Sequence, residues 1–378
     1  MTQYKPEKVI RLSKSCLSDA EKSAVMRVLD HEFLGMGAEV QEFEQAHSEF
    51  FGRPAICVTN GTAALQLALQ GAGVGSGDEV LVPSLTYVAS FQAISATGAK
   101  PIACDVQPDT LNLCWRDAER RVTKRTKAIM PVHYSGGVSG LGHIYAFAEK
   151  FSLRVIEDAA HAFGTMFSDQ RVGGFGDIAC FSFDGIKNIT SGEGGCVVTD
   201  DARVLECIRN SRLLGVEKDS EKRYAGQRSW EFNVTAQGWR YHMSNIMAAI
   251  GLAQLERFPE MAATRQSLAR EYDKLLNGHE SIKVIPRDYD AVVPHIYVVL
   301  INGLNDRRSL QESLLARGIQ TGIHYQPNHN LDFFHNAESV CLPITDMVYP
   351  KMMTLPLHPD LTKQDVEYVC DELKNLLK

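Results

Sequence analysis

One lysine, Lys187, lies between an apolar run and a cluster of glycines. The segment from residue 181 to residue 195 is Phe-Ser-Phe-Asp-Gly-Ile-Lys-Asn-Ile-Thr-Ser-Gly-Glu-Gly-Gly. A lysine at the end of a strand becomes a nucleophilic amine when it is partly removed from water. Glycines let the backbone approach a ligand closely or adopt positive φ. A lone lysine in such a segment is more often a surface residue of a hairpin, so Lys187 needs support from other segments.

A carboxylate, Asp158, ends another apolar run and is followed by Ala-Ala-His161. Two interpretations of Asp158 fit this pattern. A carboxylate at a strand end can pair with the protonated nitrogen of a pyridinium ring, and it can equally cap the N-terminus of a following helix. His161 is either a hydrogen-bonding or stacking partner of the same ring or an ordinary buried histidine.

Two further segments follow earlier apolar runs. Asn60, Gly61 and Thr62 stand between such a run and a helical pattern. The free N–H groups at a helix start bind anions such as phosphate, although any capped helix has a similar sequence. Tyr87 follows the next run, where an aromatic ring either stacks on a flat ligand or packs on its own helix.

The order of these segments is more informative than any one of them. A helix start suited to phosphate, an aromatic ring, an aspartate and a lysine each follow a predicted strand. In a parallel sheet, ligands gather beyond the carboxyl ends of the strands. Together the four segments indicate a site for pyridoxal 5′-phosphate (PLP), whose ring nitrogen must stay protonated for the ring to act as an electron sink.

Short apolar runs predict the strands that position these residues. The predicted strands are residues 55–59, 79–82, 101–104, 128–132, 154–157, 178–183 and 195–199. Amphipathic stretches predict helices between most of them, at 63–72, 89–96 and 144–151. The alternation predicts an α/β fold whose large domain has a mostly parallel seven-stranded sheet flanked by helices.

The pattern changes after residue 200. The predicted elements are a helix at 201–215, a long irregular loop at 216–236, helices at 244–255 and from about residue 260, strands at 282–285 and 296–301, and helices at 308–316 and from Lys363. We therefore predict a large domain over residues 1–255 and a smaller C-terminal α+β domain over residues 256–378. The N-terminal segment is a candidate for packing against the smaller domain.

Composition argues against several classes of protein. The chain has 378 residues and a net charge of -7, whereas nucleic-acid-binding proteins usually have a basic face. No stretch is apolar enough to span a bilayer, and the first residues lack the apolar core of a signal peptide, so we expect a cytoplasmic protein. The nine cysteines include no Cys-x-x-Cys pair, which favours reduced thiols over disulfides or zinc ligands. No metal site is predicted.

The combined pattern resembles the DegT/StrS family of PLP-dependent sugar aminotransferases, which share the aspartate-aminotransferase fold (PLP fold type I). The resemblance extends over nearly the whole chain. The segments that carry it are Phe-Leu-Gly-Met-Gly at 33–37, Phe-Glu at 43–44, Asn-Gly-Thr-Ala-Ala-Leu at 60–65, Glu-Asp-Ala-Ala-His-Ala-Phe-Gly at 157–164, the segment at 181–195, Ala-Ala-Ile-Gly-Leu-Ala-Gln-Leu at 248–255, His-Tyr at 324–325 and Leu-Pro-Leu-His at 355–358.

The resemblance implies a role for each candidate residue. Lys187 matches the lysine that forms a Schiff base with PLP, and Asp158 matches the partner of the ring nitrogen. His161 matches a position near the ring hydroxyl. The other implied cofactor contacts are the phosphate-binding turn with its serine and the stacking aromatic, namely Asn60, Gly61, Thr62, Ser182 and Tyr87. Glu193, His324 and Tyr325 are candidate substrate contacts.

One segment departs from the commoner family pattern. Many members have Gly-x-Asn-x-Arg-Met where this chain has Gly-Trp-Arg240-Tyr-His242-Met. In the family this segment reaches the phosphate site of the partner subunit. The resemblance therefore implies a homodimer with shared sites, in which Arg240 or His242 contacts the cofactor and Arg240 is also a candidate substrate contact. The helix around 248–255 is either a subunit contact or part of the core of the large domain.

The resemblance implies amino transfer from L-glutamate to a nucleotide-linked keto-deoxysugar. The expected acceptor is a dTDP-4-keto-6-deoxyhexose, aminated at C4, and O-antigen is one of several destinations for the product. The alternatives are amination at C3 of a nucleotide 3-keto sugar, a PLP sugar dehydratase and a non-catalytic regulator. Dehydratase relatives have histidine in place of the lysine, and a regulator has no need of Lys187, Asp158 and the phosphate turn together.

Overall fold

A computed structural model describes residue 6, residues 8–335 and residues 340–378. Residues 1–5, 7 and 336–339 of the two predicted domains lie outside the described residues. The strands are β1 (Ala55–Val58), β2 (Glu79–Pro83), β3 (Lys100–Cys104), β4 (Thr126–Ile129), β5 (Arg154–Asp158), β6 (Met166–Phe167), β7 (Gln170–Arg171), β8 (Ile178–Ser182), β9 (Gly195–Val198), β10 (Ile282–Val284), β11 (Tyr297–Ile301) and β12 (Met352–Leu355). The helices are α1 (Asp19–Asp30), α2 (Ala38–Phe51), α3 (Gly61–Gly71), α4 (Val88–Ala96), α5 (Trp115–Arg120), α6 (Leu141–Phe151), α7 (Ala202–Ser211), α8 (Asp219–Tyr224), α9 (Asn245–Leu276), α10 (Arg307–Ala316), α11 (Pro343–Val348) and α12 (Lys363–Leu376).

The main sheet has seven strands in the order β1-β9-β8-β5-β4-β2-β3. Strands β8, β5, β4, β2 and β3 pair in parallel. Strand β9 pairs antiparallel with both β1 and β8, so β1 runs in the same direction as β8. The predicted α/β fold with a mostly parallel sheet is confirmed, and the carboxyl ends of β1, β2, β5 and β8 lie at one edge.

Strand β2 shows why this sheet is covered on both faces. Its side chains alternate, because Val80 and Val82 pack into one apolar cluster and Leu81 packs into another. All three are 0% exposed. Each buried side chain of this size contributes about 1.5–3 kcal/mol, so a strand with apolar residues on both faces is stable here only between two layers of helices.

Helix α9 is continuous from Asn245 to Leu276, where we predicted two helices. Pro259 lies inside it and cannot donate the usual helical hydrogen bond. Phe258 and Met261, on either side of the proline, are buried in the core, and this packing offsets the lost bond. The predicted boundary between residues 255 and 256 falls within this helix, and the division of domains stays a prediction.

The start of α9 packs within its own chain. Ala249 and Ala253 share an apolar cluster with Ala24 and Val28 of α1, and Ala248 is buried in a second cluster. For these residues the structure shows core packing. Among the described helices, none has the length and apolar character needed to cross a bilayer.

The predicted loop at 216–236 contains a short helix, α8. Arg212 anchors it, because the guanidinium donates to the hydroxyl of Tyr224 at 2.7 Å and to Oγ of Ser220 at 3.3 Å. The prediction of an uninterrupted loop is therefore wrong. The segment is polar, and its anchors are hydrogen bonds that leave no hydrophobic periodicity in the sequence.

The C-terminal part contains an antiparallel sheet in the order β10-β11-β12. The N-terminal segment bonds to the C-terminal part next to this sheet, since the N–H of Ile10 donates to the carbonyl of Gly318 at 2.8 Å and the N–H of Gln320 donates to the carbonyl of Ile10 at 3.0 Å. Strand β12 was not predicted. Its four residues, Met-Met-Thr-Leu, are all buried, but they include one β-branched residue and so lack the composition that indicates a strand.

Candidate active site

A cleft of about 450 Å³ opens at the carboxyl edge of the main sheet. The strands β1, β2, β5 and β8 each lead into a segment that lines it. The predicted residues that line this cleft are Asn60, Gly61, Thr62, Tyr87, Asp158, His161, Ser182, Lys187, Glu193, His324 and Tyr325. Residues far apart in the sequence are thus brought together, as expected for segments that follow parallel strands.

The start of helix α3 forms one end of the cleft. Asn60 caps the helix, because its Oδ1 accepts from the N–H of Ala63 at 2.8 Å. The N–H groups of Gly61 and Thr62 have no acceptor within the part of the chain that the structure describes. A Cβ at position 61 would lie 2.8 Å from Cβ of Ser182, so the narrow space beside the serine requires glycine. Free N–H groups and a helix dipole make this end suitable for a phosphate.

Lys187 lies in the connection between the antiparallel strands β8 and β9, and its N–H donates to the carbonyl of Asp184 at 3.0 Å. The hairpin interpretation is correct, but the side chain is partly buried and lines the cleft. Burial lowers the pKa of Lys187 to about 8, with the charges of Asp158 and Asp184 acting in the opposite direction. A larger fraction of this lysine is therefore a neutral amine near neutral pH than of a lysine in water.

Asp158 ends β5 with its carboxylate in the cleft. Its Oδ2 accepts from Oγ of Ser90 at 2.7 Å, and its Oδ1 accepts from the N–H of Ala160 at 3.2 Å. The residues directly after Asp158, 159–165, form turns and no helix, so the helix-cap interpretation is wrong. An ionised carboxylate has about four acceptor positions, which leaves capacity for a cationic ring nitrogen.

His161 is hydrogen-bonded on both ring nitrogens. The N–H of Ser135 donates to Nδ1 at 3.4 Å, and Nε2 lies 2.9 Å from the hydroxyl oxygen of Tyr325. Burial holds the pKa of His161 well below its usual value, and the charge of Lys187 adds to this effect. The neutral ring therefore accepts at Nδ1 and donates from Nε2 to Tyr325.

The opposite wall of the cleft includes residues of the C-terminal part. Nδ1 of His324 lies 2.9 Å from Oγ1 of Thr354, and burial lowers the pKa of His324 to about 4. The ring of Tyr87 is 57% exposed and its centroid lies 5.4 Å from that of Tyr325. Most of Glu193 is exposed. The burial of the remaining part, together with the charge of Asp184, raises its pKa.

Arg240 and His242 do not line the cleft of their own chain. Arg240 is exposed. The next residue, Tyr241, is fixed by its backbone, because its carbonyl accepts from the N–H of Thr59 at 2.7 Å. His242 is partly buried, and burial with the nearby charge of Arg240 lowers its pKa to about 4.

Several polar residues at the site were not predicted, among them Ser90, Asp184 and His295. Ser90, which supports Asp158, follows Tyr87 in the first turn of α4, and Asp184 follows Ser182 directly, so both stood within segments that the sequence singled out. His295 contacts Lys187 from 108 residues away, and nothing in its local sequence indicates that contact.

The sequence also matches the model of one protein family over residues 15–374, described as the DegT/DnrJ/EryC1/StrS aminotransferase family. The chain belongs to this family.

Solved structures of sugar aminotransferases and related enzymes are similar to this member of the family over almost its whole length. The aminotransferase TlmJ from Streptoalloteichus hindustanus is 30% identical with a TM-score of 0.89, covering 97% of this chain and 98% of that chain. PseC from Helicobacter pylori is 27% identical with a TM-score of 0.90, covering 97% and 99%. The putative sugar aminotransferase Spr1654 from Streptococcus pneumoniae, in its PLP-form, is 28% identical with a TM-score of 0.90, covering 98% of each chain.

Membership of the DegT/DnrJ/EryC1/StrS family makes the protein a PLP-dependent enzyme of the sugar-aminotransferase class. The cleft fits that cofactor on its own features. The space beside Ser182 admits no side chain at position 61, the neighbouring N–H groups are free to bind a phosphate, Asp158 retains acceptor capacity, and the amine of Lys187 has a lowered pKa.

Proposed function

We propose that this aminotransferase moves the amino group of L-glutamate to the keto group of a nucleotide-linked keto-deoxysugar. The expected acceptor is a dTDP-4-keto-6-deoxyhexose, aminated at C4. The observation that carries the proposal is the meeting of Lys187, Asp158 and the start of α3 in one cleft. PseC, a relative with 27% identity, is described as an aminotransferase of pseudoaminic acid biosynthesis, which supports a sugar acceptor.

The predicted residues of the cleft each have a task in this proposal. The N–H groups of Gly61 and Thr62 and the hydroxyl of Ser182 bind the phosphate of PLP, and Asp158 pairs with the ring nitrogen. Tyr87 stacks on the ring and His161 lies near the ring hydroxyl. Bound PLP supplies an electron sink for negative charge at the substrate carbon.

Lys187 is the proton carrier of the reaction in this proposal. Its Nζ would accept the proton from the α-carbon of glutamate and, in the second half of the reaction, would donate a proton to the carbon of the sugar that receives the amino group. Burial lowers its pKa to about 8, which brings the amine closer to the pH at which a general base works best. Glu193, His324 and Tyr325 lie on the cleft wall where they can contact the sugar.

The homodimer is proposed from the charge of the cleft. Among the described lining residues Asp158, Asp184 and Glu193 are acidic and Lys187 is the cation, although cofactor and substrate both carry phosphate. A further cation from a partner subunit would balance that charge. Arg240 suits this role better than His242, because Arg240 is exposed and always charged, whereas His242 is neutral near pH 7.

Exposed apolar side chains on the same segment support a subunit interface there. Trp230 is 87% exposed and Phe232 is 61% exposed, and large exposed apolar side chains close together are typical of interaction surfaces. Mixing the inactive variants Lys187→Ala and Arg240→Ala tests shared sites. Subunits that share sites regain activity in the mixed dimer, because one site then combines an intact Lys187 with an intact Arg240. No recovery after subunit exchange would contradict the shared site.

An acceptor screen tests the proposed function. The PLP-loaded protein is incubated with L-glutamate and, in parallel, with dTDP-, UDP- and GDP-linked 4-keto and 3-keto sugars, and 2-oxoglutarate and the amino sugar are measured. The proposal expects ping-pong kinetics and the highest kcat/KM with the dTDP-4-keto sugar. Preference for a 3-keto sugar would overturn the C4 assignment, and the absence of 2-oxoglutarate with every acceptor would overturn the glutamate donor.

A further inference from the structure

His295 contacts Lys187 but is not among the residues that line the cleft. Its Nε2 lies 3.4 Å from Nζ of the lysine. The ring is 3% exposed, and its centroid is 4.4 Å from that of His161. The lysine amine therefore has a buried polar neighbour besides the groups that face the ligand.

The imidazole of His295 has few other polar contacts. Its Nδ1 is buried without a hydrogen-bond partner in the part of the chain that the structure describes, although buried polar atoms normally have one. The contact with Nζ is thus the polar contact by which the ring is held. An ordinary core histidine would be expected to bond to a nearby carbonyl or carboxylate, as His47 does with the carbonyl of Phe43 at 2.8 Å.

The charged and titratable groups around His295 come from several elements. They are Lys187 after β8, His161 after β5, Arg265 of α9 and His324 before β12. Burial, followed by these neighbours, holds the pKa of His295 well below its usual value, so the ring is neutral. A protonated lysine has donors and no acceptor, and Nε2 must then accept from Nζ.

We propose that His295 is a positioning residue for Lys187, with Nε2 accepting a hydrogen bond from Nζ and holding the amine in one orientation. The inference rests on the proposed function, in which Lys187 carries the proton. A hydrogen bond to the charged form of an amine favours that form. His295 therefore opposes part of the effect of burial and keeps Lys187 closer to its ordinary basicity.

The test measures the lysine itself in the protein before PLP is added. Acetylation of Lys187 by acetic anhydride is followed against pH by peptide mass spectrometry, relative to exposed lysines. We expect a midpoint of about 8 in the unmodified protein and a midpoint lower by about one pH unit in His295→Leu. His295→Gln should keep the original midpoint, because its amide oxygen can reach the position of Nε2.

A buried histidine elsewhere provides the matched control. His358 is 4% exposed and lies near Arg265, and His358→Leu should leave the midpoint unchanged. Equal midpoints in the unmodified protein and His295→Leu, or an equal shift in His358→Leu, would overturn the role. If His295→Leu does not fold, His295→Asn takes its place, because its shorter amide leaves Nζ without an acceptor.

This measurement separates the inference from the proposed function. A failed acceptor screen leaves the shift in the Lys187 midpoint intact. An unchanged midpoint removes the role of His295 and leaves the amino transfer as proposed.

Discussion

Arg212 and Lys187 are two of the buried or partly buried cations of the molecule, and their surroundings differ. Arg212 is 0% exposed, and its guanidinium bonds to the carboxylate of Glu44, to the carbonyl of Cys57 at 2.6 Å and to the hydroxyl of Tyr224 at 2.7 Å. Lys187 has no carboxylate at ion-pair distance among the described residues. Its polar side-chain contact is Nε2 of His295.

The two pKa values move in opposite directions as a result. Burial disfavours charge on Arg212, but the carboxylate of Glu44 and the hydroxyl of Tyr224 together outweigh burial and raise the pKa. At Lys187 burial wins and lowers the pKa to about 8. Arg212 bonds to groups of α2, β1 and α8 and so ties these elements together. Lys187 has no ion-pair partner among the described residues and keeps an amine of lowered pKa. We therefore assign a structural role to the charge of Arg212 and a chemical role to the amine of Lys187.

The largest expected effect comes from Lys187→Ala. The variant should lose roughly 10⁴-fold in kcat, because the proton carrier is gone, while the free energy of unfolding of the PLP-free protein changes little. Steady-state kinetics and urea denaturation measure the two quantities. Lys150→Ala is the control, since Lys150 pairs with Glu119 at the surface, and it should keep full activity. A Lys187→Ala protein that unfolds much more easily would show that the lysine is structural.

Arg212→Met should have the opposite profile. Removing one partner of a buried ion pair leaves Glu44 charged and unpaired, which lowers the free energy of unfolding by about 3–5 kcal/mol. The urea midpoint measures this loss. Arg120→Met removes an exposed guanidinium that pairs with Asp117 and should cost at most about 1 kcal/mol. Equal midpoints for the two variants would contradict the structural role of Arg212.

Asp158→Asn tests whether a second charged residue of the cleft has a chemical role. The change removes the proposed charge partner of the ring nitrogen and should lower kcat by roughly 10²–10³-fold. Asp184→Asn is the matched control, because both carboxylates raise the pKa of Lys187 but Asp184 has no proposed contact with that nitrogen. An equal loss of kcat in the two variants would mean that both act through the general charge of the cleft.

The smallest effect is expected for Gly61→Ala. The added methyl would lie 2.8 Å from Cβ of Ser182 and must push the serine away, so the PLP dissociation constant should rise roughly tenfold, equivalent to about 1.4 kcal/mol. Titration of the apo protein with PLP measures it. Gly35→Ala is the control, since a Cβ there would meet nothing within 4 Å. An unchanged PLP dissociation constant for Gly61→Ala would show that the phosphate does not bind at the start of α3.

The sequence predicted those parts of the molecule whose signals are local. An apolar run indicates a strand, and the polar residue after it indicates the edge of a parallel sheet. Asp158, Lys187 and the turn at Gly61 were expected at that edge, and the structure places them in one cleft there. The predicted break between two helices near Pro259 was wrong, because the burial of neighbouring side chains offsets the hydrogen bond that the proline cannot donate. Strand β12 was missed for a different reason, because Met-Met-Thr-Leu contains one β-branched residue and lacks the β-branched run that indicated the other strands.

The rest of the site depends on contacts between distant segments. His295 meets Lys187 across 108 residues, and only the packing of the C-terminal part against the main sheet produces that contact. Arg240 is the opposite case, because the sequence indicates a role that the structure of a single chain does not explain. The resemblance implies that it acts at a cofactor site, but in its own chain the side chain is exposed outside the cleft, and its role depends on a second subunit.

Reduction of the PLP-loaded protein with borohydride tests whether Lys187 holds the cofactor. Borohydride fixes PLP to the lysine that holds it, and peptide mass spectrometry then locates the modified residue. We expect the added mass on the peptide that contains Lys187, and no such mass in Lys187→Ala. A bound cofactor that reduces onto another lysine, or onto none, would contradict this expectation.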